Sequence, residues 1–327
     1  MLIYIRMYLP VAQPADQPYN PLISIIIVTW NCRDYILKCL ETIYHNTDVS
    51  FEVIVRDNGS SDGTIQAIQE KFPQVKLIGD GENVGFSVAN NEAIKIATGQ
   101  YLLLLNPDTE LPPDALVEFV NAAQKYHDKA LIVPTLLNDD GTVQRSIHSF
   151  PTIVGVAQKS VTGLKKLLGI QHVSADIDWV KGACLFIPRT VYRAVGKLDE
   201  NLFMYGEDLD YCWRVHQAGF EIVWLPQLKV IHYGNVSGVQ KWGDQRLMRT
   251  NQTLIYFWIK HFGPYYTVIL LITRLVYLIF LGLRDLVKEI VGRHSPLKLE
   301  RLLSSVALLH ASLQVKNWPF YFSGRHQ

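Results

Sequence analysis

Two carboxylates that follow apolar runs are the residues best placed to do chemistry in this sequence. Asp57 ends a run that begins at Phe51, and Asp108 follows the run Tyr101–Leu105 after an Asn-Pro pair. A short apolar run that ends in such a turn signal predicts a buried strand that empties into a loop. Because ligands of open α/β sheets bind outside the carboxyl ends of the strands, we expect both carboxylates in one crevice.

Asp108 is predicted to hold a divalent metal, Mg²⁺ or Mn²⁺, with Asn106 beside it. One carboxylate is enough for Mg²⁺ when substrate oxygens and water complete the coordination shell. A structural interpretation is also open, since Asp108 can cap the helix predicted to begin at Asp114. The structural alternative for Asp57 is that it makes an Asx turn and has no chemical role, which the following Asn58 favours.

A second acidic group, Glu207-Asp208-Leu209-Asp210, lies at the predicted start of a helix. Acids in a first turn are stabilised by the helix dipole, by about 0.3–1 kcal/mol each. Asp210 can also pair with Arg214 four residues on. The chemical interpretation is that a carboxylate at this helix start faces the crevice and acts as a general base on an alcohol. His232 ends a later predicted strand, where it is either structural or a ligand of metal or phosphate.

Composition limits the class of protein. The 327 residues can bury one large core, and 49% hydrophobic against 19% charged residues argues against disorder and against a wholly membrane-embedded chain. The net charge of +1 offers no case for nucleic-acid binding. The 4 cysteines form no CxxC pair, which predicts reduced thiols of a cytosolic protein. The sequence contains no P-loop, GxGxxG, GxSxG or zinc signature.

Alternating strands and helices predict the frame that positions these acids. Strands are expected at 22–29, 51–57, 75–78 and 101–105, with a helix between each pair. This alternation predicts a doubly wound, mostly parallel sheet flanked by helices, with right-handed crossovers. Further strands are expected at 130–134, 179–187, 220–224 and 229–232. Residues 146–178 are weakly patterned, which predicts a variable loop region with one helix.

The chain is expected to have three parts. These are a leader at 1–20, a catalytic domain at 21–245 and a helical, membrane-proximal extension at 246–327.

The extension contains an apolar segment, 264–283, that is interrupted by Arg274. A central Arg costs about 3 kcal/mol in a membrane span, so spanning is borderline. Positive charge precedes the segment at Lys260 and His261 and follows it from Arg284 onward. Because both flanks are positive, we expect helices that lie in the membrane interface. The alternative is a buried helix packed on the domain or on a second subunit of a homo-oligomer.

Taken in chain order, these segments resemble an inverting glycosyltransferase of family 2 with the GT-A fold, in its rhamnosyltransferase-like branch. The matching stretches are Ser24-Ile-Ile-Ile-Val-Thr-Trp-Asn31, Val55-Arg-Asp57-Asn-Gly-Ser-Ser-Asp-Gly-Thr64, Asn83-Val-Gly-Phe86, Asn90-Asn91, Asn106-Pro-Asp108, Gly182-Ala-Cys-Leu185, Phe203-Met-Tyr-Gly-Glu-Asp-Leu-Asp210 and His232. Each motif is loose by itself, but the series is specific and covers roughly residues 22–240.

The resemblance implies a role for each matching residue. Asp208 would be the catalytic base with Glu207 as its neighbour. Asp108 would bind the metal, and His232 would lie near the metal or the diphosphate. The substrate contacts that it implies are Thr29, Asn31, Asp57, Asn58, Gly85, Asn91 and Asn106. The Asn at position 106 departs from the stricter DxD of other branches.

The same resemblance implies transfer of a sugar from dTDP-rhamnose or a UDP-sugar in a single displacement. The acceptor would be a cell-surface polysaccharide or a polyprenyl-diphosphate-linked glycan precursor, and the protein would lie on the cytoplasmic face of the cell membrane. Arg246 and Arg249 either meet acceptor phosphates or form a solvated helix face. Two other classes stay open, a nucleotidyltransferase that makes the sugar nucleotide and a non-catalytic nucleotide-sugar-binding assembly protein.

Overall fold

The computed structural model describes residues 21–152, 177–234 and 246–290. The predicted leader at 1–20 lies outside the described residues. The same holds for most of the weakly patterned region, for the loop after Gly234 and for the extension beyond residue 290.

An 8-stranded sheet forms the centre of the fold, in the order β3-β2-β1-β4-β9-β6-β10-β5, and β7 pairs with β8 beside it. The strands are β1 Ile23–Thr29, β2 Phe51–Asp57, β3 Lys76–Ile78, β4 Tyr101–Leu105, β5 Thr109–Glu110, β6 Ala130–Leu137, β7 Ile147–His148, β8 Trp179–Val180, β9 Cys184–Pro188 and β10 Glu221–His232. The helices are α1 Arg33–Tyr44, α2 Thr64–Lys71, α3 Phe86–Ile96, α4 Ala115–Lys125, α5 Arg189–Val195, α6 Glu207–Gln217 and α7 Arg246–Ile290.

The predicted doubly wound, mostly parallel sheet is confirmed. Strands β1 to β4 run parallel, as do β6 and β10, whereas β9 is antiparallel to β4 and β6. Strand β1 is buried on both faces, with Ile25 and Ile27 in one core cluster and Ile26 in the other. The carboxyl ends of β1, β2, β4, β6 and β10 therefore open on one edge of the sheet.

Three predicted strands differ from the structure. The strand expected at 179–187 is interrupted after Val180, where the Gly182 N–H donates to Asp208 Oδ2 at 3.0 Å. The strands expected at 220–224 and 229–232 form one strand, β10, with an irregularity between Leu225 and Lys229. Pro226 lies in that irregularity, where it has no N–H to leave unpaired. The short helix α5 was not predicted.

The first part of α7 belongs to the core of the domain. Ile255, Phe257 and Trp258 are buried in the same cluster as β4 and α6 residues. The helix then bends at Gly263, whose φ of 80° and ψ of 170° are not helical, before Pro264. These residues precede the segment 264–283, so their packing does not decide between the alternatives predicted for that segment.

The positive flank before the apolar segment has a different role from the expected attraction to lipid. Lys260 Nζ lies 2.6 Å from both Asp199 Oδ2 and Asp210 Oδ1, and His261 Nε2 lies 2.8 Å from Asp210 Oδ1. These contacts join α7 to the domain, so the two side chains are not available to attract anionic lipid. Arg249, expected on a solvated face or at acceptor phosphates, is half-buried.

After the bend, part of α7 presents an apolar face to solvent. Tyr265, Val268, Ile269, Ile272 and Val276 are exposed, at spacings that place them along one side of a helix. Within the described residues no helix combines the length and the hydropathy that a membrane span requires.

Asp210 is the charged residue that joins α6 to α7. It is 1% exposed and accepts from Arg214 Nε at 2.8 Å, besides its contacts with Lys260 and His261. The predicted pairing with Arg214 is therefore present. Burial alone would raise the pKa of Asp210, but the hydrogen bond from His261 and the charges of Arg214 and Lys260 hold it well below its usual range.

We expect Asp210→Asn to lower the free energy of unfolding by about 3–5 kcal/mol, because it removes the buried carboxylate that Arg214 and Lys260 contact. Urea denaturation at pH 7 measures the change. Glu221→Gln, at an exposed carboxylate on β10, is the matched control and should shift stability by less than about 0.5 kcal/mol. Equal effects of the two substitutions would contradict the anchoring role.

The same substitution should also flatten part of the acid denaturation profile. A carboxylate with a depressed pKa contributes its full stability above the unfolded pKa of about 3.9, and this contribution is lost as pH falls toward the lower folded pKa. The stability difference between wild type and Asp210→Asn should therefore shrink below about pH 4.

Candidate active site

A cavity of about 580 Å³ opens at the carboxyl edge of the sheet. It is lined by loops that follow β1, β2 and β4, by the start of α6, by the end of β10 and by the first turns of α7. The cavity brings together both acidic groups that the sequence singled out. Its predicted lining residues are Thr29, Asn58, Gly85, Asn106, Asp108, Glu207, Asp208 and His232.

Asp108 and His232 meet because a short strand follows the Asn-Pro turn. Strand β5 pairs antiparallel with the end of β10, so that Thr109 lies opposite His232. Asp108 Oδ1 then lies 3.5 Å from His232 Nε2, with both side chains buried. The helix-cap interpretation of Asp108 is not what the structure shows, because α4 begins after Asp114 and has no side-chain cap.

The hydrogen bonds of His232 fix which ring nitrogen is free. Nδ1 lies 2.8 Å from Gln144 Oε1, which can only accept, so Nδ1 carries the proton. The Gln144 amide is oriented by its Nε2, which donates to Asn138 Oδ1 at 3.0 Å. In the neutral ring Nε2 therefore has no proton and carries a lone pair. It lies 3.3 Å from the Asn106 amide nitrogen and faces the Asp108 carboxylate.

An imidazole lone pair and a carboxylate oxygen that face each other at 3.5 Å fit a shared cation. In the described part of the chain, no three His, Cys, Asp or Glu side chains converge as a metal site. A metal held here would therefore take its remaining ligands from substrate oxygens and water, as Mg²⁺ and Mn²⁺ do with phosphates. The residues present fit such a metal.

Asp208 lies on the opposite wall, at the first turn of α6. Its Oδ2 accepts from the Gly182 N–H at 3.0 Å and its Oδ1 from the Leu209 N–H at 2.7 Å. Burial raises the pKa of Asp208, and these backbone donors and the charge of Lys181 only partly offset the increase. A carboxylate held in the cavity with a raised pKa has the properties of a general base.

Glu207 is the more easily protonated member of the pair. It is 9% exposed, and its Oε2 is buried with no hydrogen bond to the described residues. Burial and the adjacent Asp208 charge raise the pKa of Glu207. Because Asp208 accepts backbone N–H groups on both oxygens, the pair keeps its proton on Glu207 and ionises first at Asp208.

Close packing forces the shape of this turn. Gly206 has a φ of 84°, and a Cβ there would lie 2.0 Å from Thr253 Cγ2 of α7. Only glycine fits, because the conformation is left-handed and a side chain would meet α7. A Cβ at Gly182 would lie 3.2 Å from Asp208 Cβ, so a side chain there would press on the residue that Gly182 holds.

Some predicted substrate contacts lie elsewhere. Asn31 Oδ1 accepts from the Ser61 N–H at 2.8 Å, and the Asn91 amide is used by the backbone of Leu198. Neither lines the cavity. Asp57 does not line it either, and its Oδ2 makes the Asx-type bonds to the loop that the alternative interpretation predicted, from the N–H groups of Gly59 and Ser60. The three residues position loops.

Other lining residues were not predicted. Gln144 and Lys181 come from turns with no motif, and Trp179 stacks on His148 with ring centroids 4.5 Å apart. From α7 the cavity is lined by Thr250, Asn251, Thr253 and Leu254. The boundary expected at residue 246 therefore does not separate the site from the extension. The pattern of the sequence predicted a continuous strand at 179–187, so it did not indicate the turn at Lys181.

Residues 24–176 match the model "Glycosyl transferase family 2".

Residues 24–176 therefore form a domain of this family.

As a family 2 member it is an enzyme of the glycosyltransferase class. It is 26% identical over 233 residues to the N-acetylglucosaminyl-diphospho-decaprenol L-rhamnosyltransferase of Mycobacterium tuberculosis (strain ATCC 25618 / H37Rv), covering 65% of this chain and 76% of that protein. It is 27% identical to rhamnosyltransferase WbbL of Escherichia coli (strain K12), covering 65% of this chain and 84% of that protein.

The solved structures agree on the fold. The mannosyltransferase PcManGT from Pyrobaculum calidifontis, in complex with GDP-Man and Mn²⁺, superposes with a TM-score of 0.55 at 17% identity, over 92% of this chain and 90% of that one. The predicted GT-A fold is thereby confirmed. The family match ends at residue 176, whereas Glu207, Asp208 and the α7 residues of this glycosyltransferase cavity lie beyond it.

We expect Glu207→Gln to make this glycosyltransferase less sensitive to alkaline pH. A carboxyl with a raised pKa contributes stability that is complete below the unfolded pKa of about 4.3 and is lost as pH rises through the folded pKa. The variant should match wild type below about pH 4 and be more stable at pH 9, by about 1.4 kcal/mol per unit of pKa shift removed. Thermal denaturation across this range measures it.

The control is Glu70→Gln, at an exposed carboxylate on α2. Its stability should follow wild type at every pH. A Glu207→Gln profile parallel to wild type would show that Glu207 does not retain a proton.

Proposed function

We propose that this glycosyltransferase moves a sugar from a nucleotide sugar to a hydroxyl of a lipid-linked glycan precursor, with inversion and with Asp208 as the base. The observation that carries the proposal is the cavity itself. It holds Asp208, a carboxylate suited to proton abstraction, on one wall and the Asp108–His232 pair on another. The proposed sugar is rhamnose from dTDP-rhamnose, or a sugar from a UDP-sugar, since two relatives of this chain are named rhamnosyltransferases.

Asp208 performs the proton transfer in the proposed mechanism. The acceptor hydroxyl loses its proton to an Asp208 oxygen as its own oxygen bonds to the anomeric carbon. The bond from that carbon to the diphosphate oxygen breaks on the opposite face, and the nucleoside diphosphate leaves. One displacement inverts the anomeric centre and needs no covalent nucleophile. The N–H groups of Gly182 and Leu209 hold the carboxylate in place during the transfer.

Asp108 and His232 are proposed to hold Mg²⁺ or Mn²⁺, with Asn106 beside them. The bound metal supplies charge neutralisation for the leaving diphosphate. Gln144 keeps the His232 proton on Nδ1, so that Nε2 stays available as a ligand. Thr29, Asn58 and Gly85 line the side of the cavity that we assign to the nucleotide.

The acceptor is proposed to be lipid-linked, at a membrane surface. The first turns of α7 line the cavity, and the same helix continues to the exposed apolar residues Tyr265, Val268, Ile269, Ile272 and Val276. A helix with such a face binds in proportion to the apolar area that it buries in the lipid interface. The Mycobacterium tuberculosis relative is named for a diphospho-decaprenol substrate, which supports an acceptor of this chemistry.

We expect Asp208→Asn to lower the rate of sugar transfer by at least about 10²-fold, because the amide cannot take the acceptor proton. Nucleotide binding with Mn²⁺ should persist. Transfer is measured by nucleoside diphosphate release with a polyprenyl-diphosphate-linked acceptor, and binding by calorimetry. Asp139→Asn, at an exposed turn, is the control and should keep the wild-type rate. Near-normal turnover by Asp208→Asn would remove the base assignment.

We expect the metal to be needed for tight binding of the nucleotide. EDTA should weaken nucleoside diphosphate binding to wild type, and Asp108→Asn should weaken it in the presence of Mn²⁺ by at least about tenfold, since a carboxylate ligand is lost. Addition of EDTA should then change the affinity of Asp108→Asn little. If EDTA leaves wild-type binding and turnover unchanged, Asp108 does not hold a metal.

A further inference from the structure

Lys181 is a cation in the cavity wall that forms no ion pair with the described residues, although the charge of Asp208 acts on it from a greater distance. It is half-buried, in the turn between β8 and β9, and it lines the cavity. Its backbone N–H donates to Ser146 O at 2.9 Å. In the part of the chain that the structure describes, no ion pair or side-chain hydrogen bond engages its ammonium group.

Some other cations among the described residues have carboxylate partners, whereas the half-buried Arg189 donates to the backbone oxygens of Gly99 and Ala97. Arg56, 1% exposed, pairs with Glu92 at 3.0 Å and with Asp80 at 3.3 Å. Arg214 and Lys260 both contact Asp210. A charge removed from water is costly unless it is paired. Because Lys181 has only the more distant charge of Asp208, its place in the cavity wall suits an anion that comes from outside the chain.

The position of Lys181 is fixed by residues on both sides of it. Gly182, the next residue, donates to Asp208, and Ala183 O accepts from the Asn106 N–H at 2.9 Å. Ser146, to which Lys181 is bonded, lies two residues after the Gln144 that holds His232. Lys181 therefore lies on the wall that joins the Asp108–His232 pair to the base.

A second cation strengthens the positive field at this wall. Arg145 is exposed and adjacent to Ser146. Burial lowers the pKa of Lys181, the charge of Asp208 opposes this, and the charge of Arg145 lowers it further. Two cations that repel each other beside a cavity fit an anion that carries more than one charge. A diphosphate is such an anion, and its oxygens accept hydrogen bonds from ammonium and guanidinium groups.

We propose that Lys181, with Arg145 beside it, binds a phosphate oxygen of a substrate diphosphate in this cavity. The inference rests on the proposed function, in which both the nucleotide sugar and the lipid-linked acceptor carry a diphosphate. It assigns the recognition of that group to a lysine outside the motifs, in addition to the metal. The ammonium supplies charge to the diphosphate without taking part in bond making or breaking.

Calorimetric titration tests the proposal with Mn²⁺ present. The probes are dTDP and UDP for the donor, farnesyl diphosphate for the acceptor, and inorganic pyrophosphate for the shared group. Lys181→Met should weaken pyrophosphate and either the nucleotides or farnesyl diphosphate by tenfold or more, and the probe that loses affinity identifies the source. Lys181→Arg should restore most of the affinity, and Arg145→Gln should cause a smaller loss.

Lys129→Met, at an exposed lysine after α4, is the matched control and should bind every probe as wild type does. Raising the salt concentration should weaken binding to wild type more than to Lys181→Met, because a charge contact is screened. Circular dichroism confirms that each variant is folded, and Arg145→Gln tests the same wall at an exposed position.

The outcomes separate the two proposals. If nucleotides bind wild type and Lys181→Met within twofold of each other, and farnesyl diphosphate and pyrophosphate do the same, the Lys181 inference is overturned while the proposed function stands. If neither nucleotide binds wild type but pyrophosphate binding depends on Lys181, the proposed function falls and the diphosphate site remains. If no probe binds wild type, both are overturned.

Discussion

The buried charge of Asp210 is the interaction on which the arrangement of the site depends. A carboxylate that is 1% exposed is tolerated only because Arg214, Lys260 and His261 surround it. Two of these partners come from α7, so α7 is drawn against the first turn of α6. That turn also carries Asp208, which faces the other way, into the cavity. One turn of helix therefore carries two acids with different roles. Asp210 fixes the wall of the site, and Asp208 is the proposed base.

The sequence predicted the frame because the frame follows from local patterns. Apolar runs gave the central strands, and the rule that ligands meet the carboxyl ends of parallel strands brought Asp108 toward the same crevice as Asp208. The sequence also predicted His232 at a strand end. What decides the contact of His232 with Asp108 is the two-residue strand β5, which is too short to show periodicity.

The remaining parts of the site arise from tertiary contacts that leave no local pattern. Gln144 follows a turn of polar residues, yet it determines which nitrogen of His232 is free. Asn91 and Asn31 belong to matching motifs, but their side-chain amides form hydrogen bonds with the backbone of loops. The charges before the apolar segment of α7 predict attraction to lipid, whereas in the structure Lys260 and His261 contact Asp210 within the fold. Residue type alone does not reveal whether a charge is already neutralised.

The contact between Gly206 and Thr253 bears on how members of this family can exchange parts. The turn before Glu207 and Asp208 has no room for a Cβ, and its nearest neighbour is a methyl group of α7. A C-terminal helix transplanted from another enzyme would have to bring a side chain no larger than threonine to that position, together with partners for Asp210 at the places of Lys260 and His261. The helix would therefore have to be exchanged together with the turn it touches, and a chimaera joined at residue 246 divides a single packed surface.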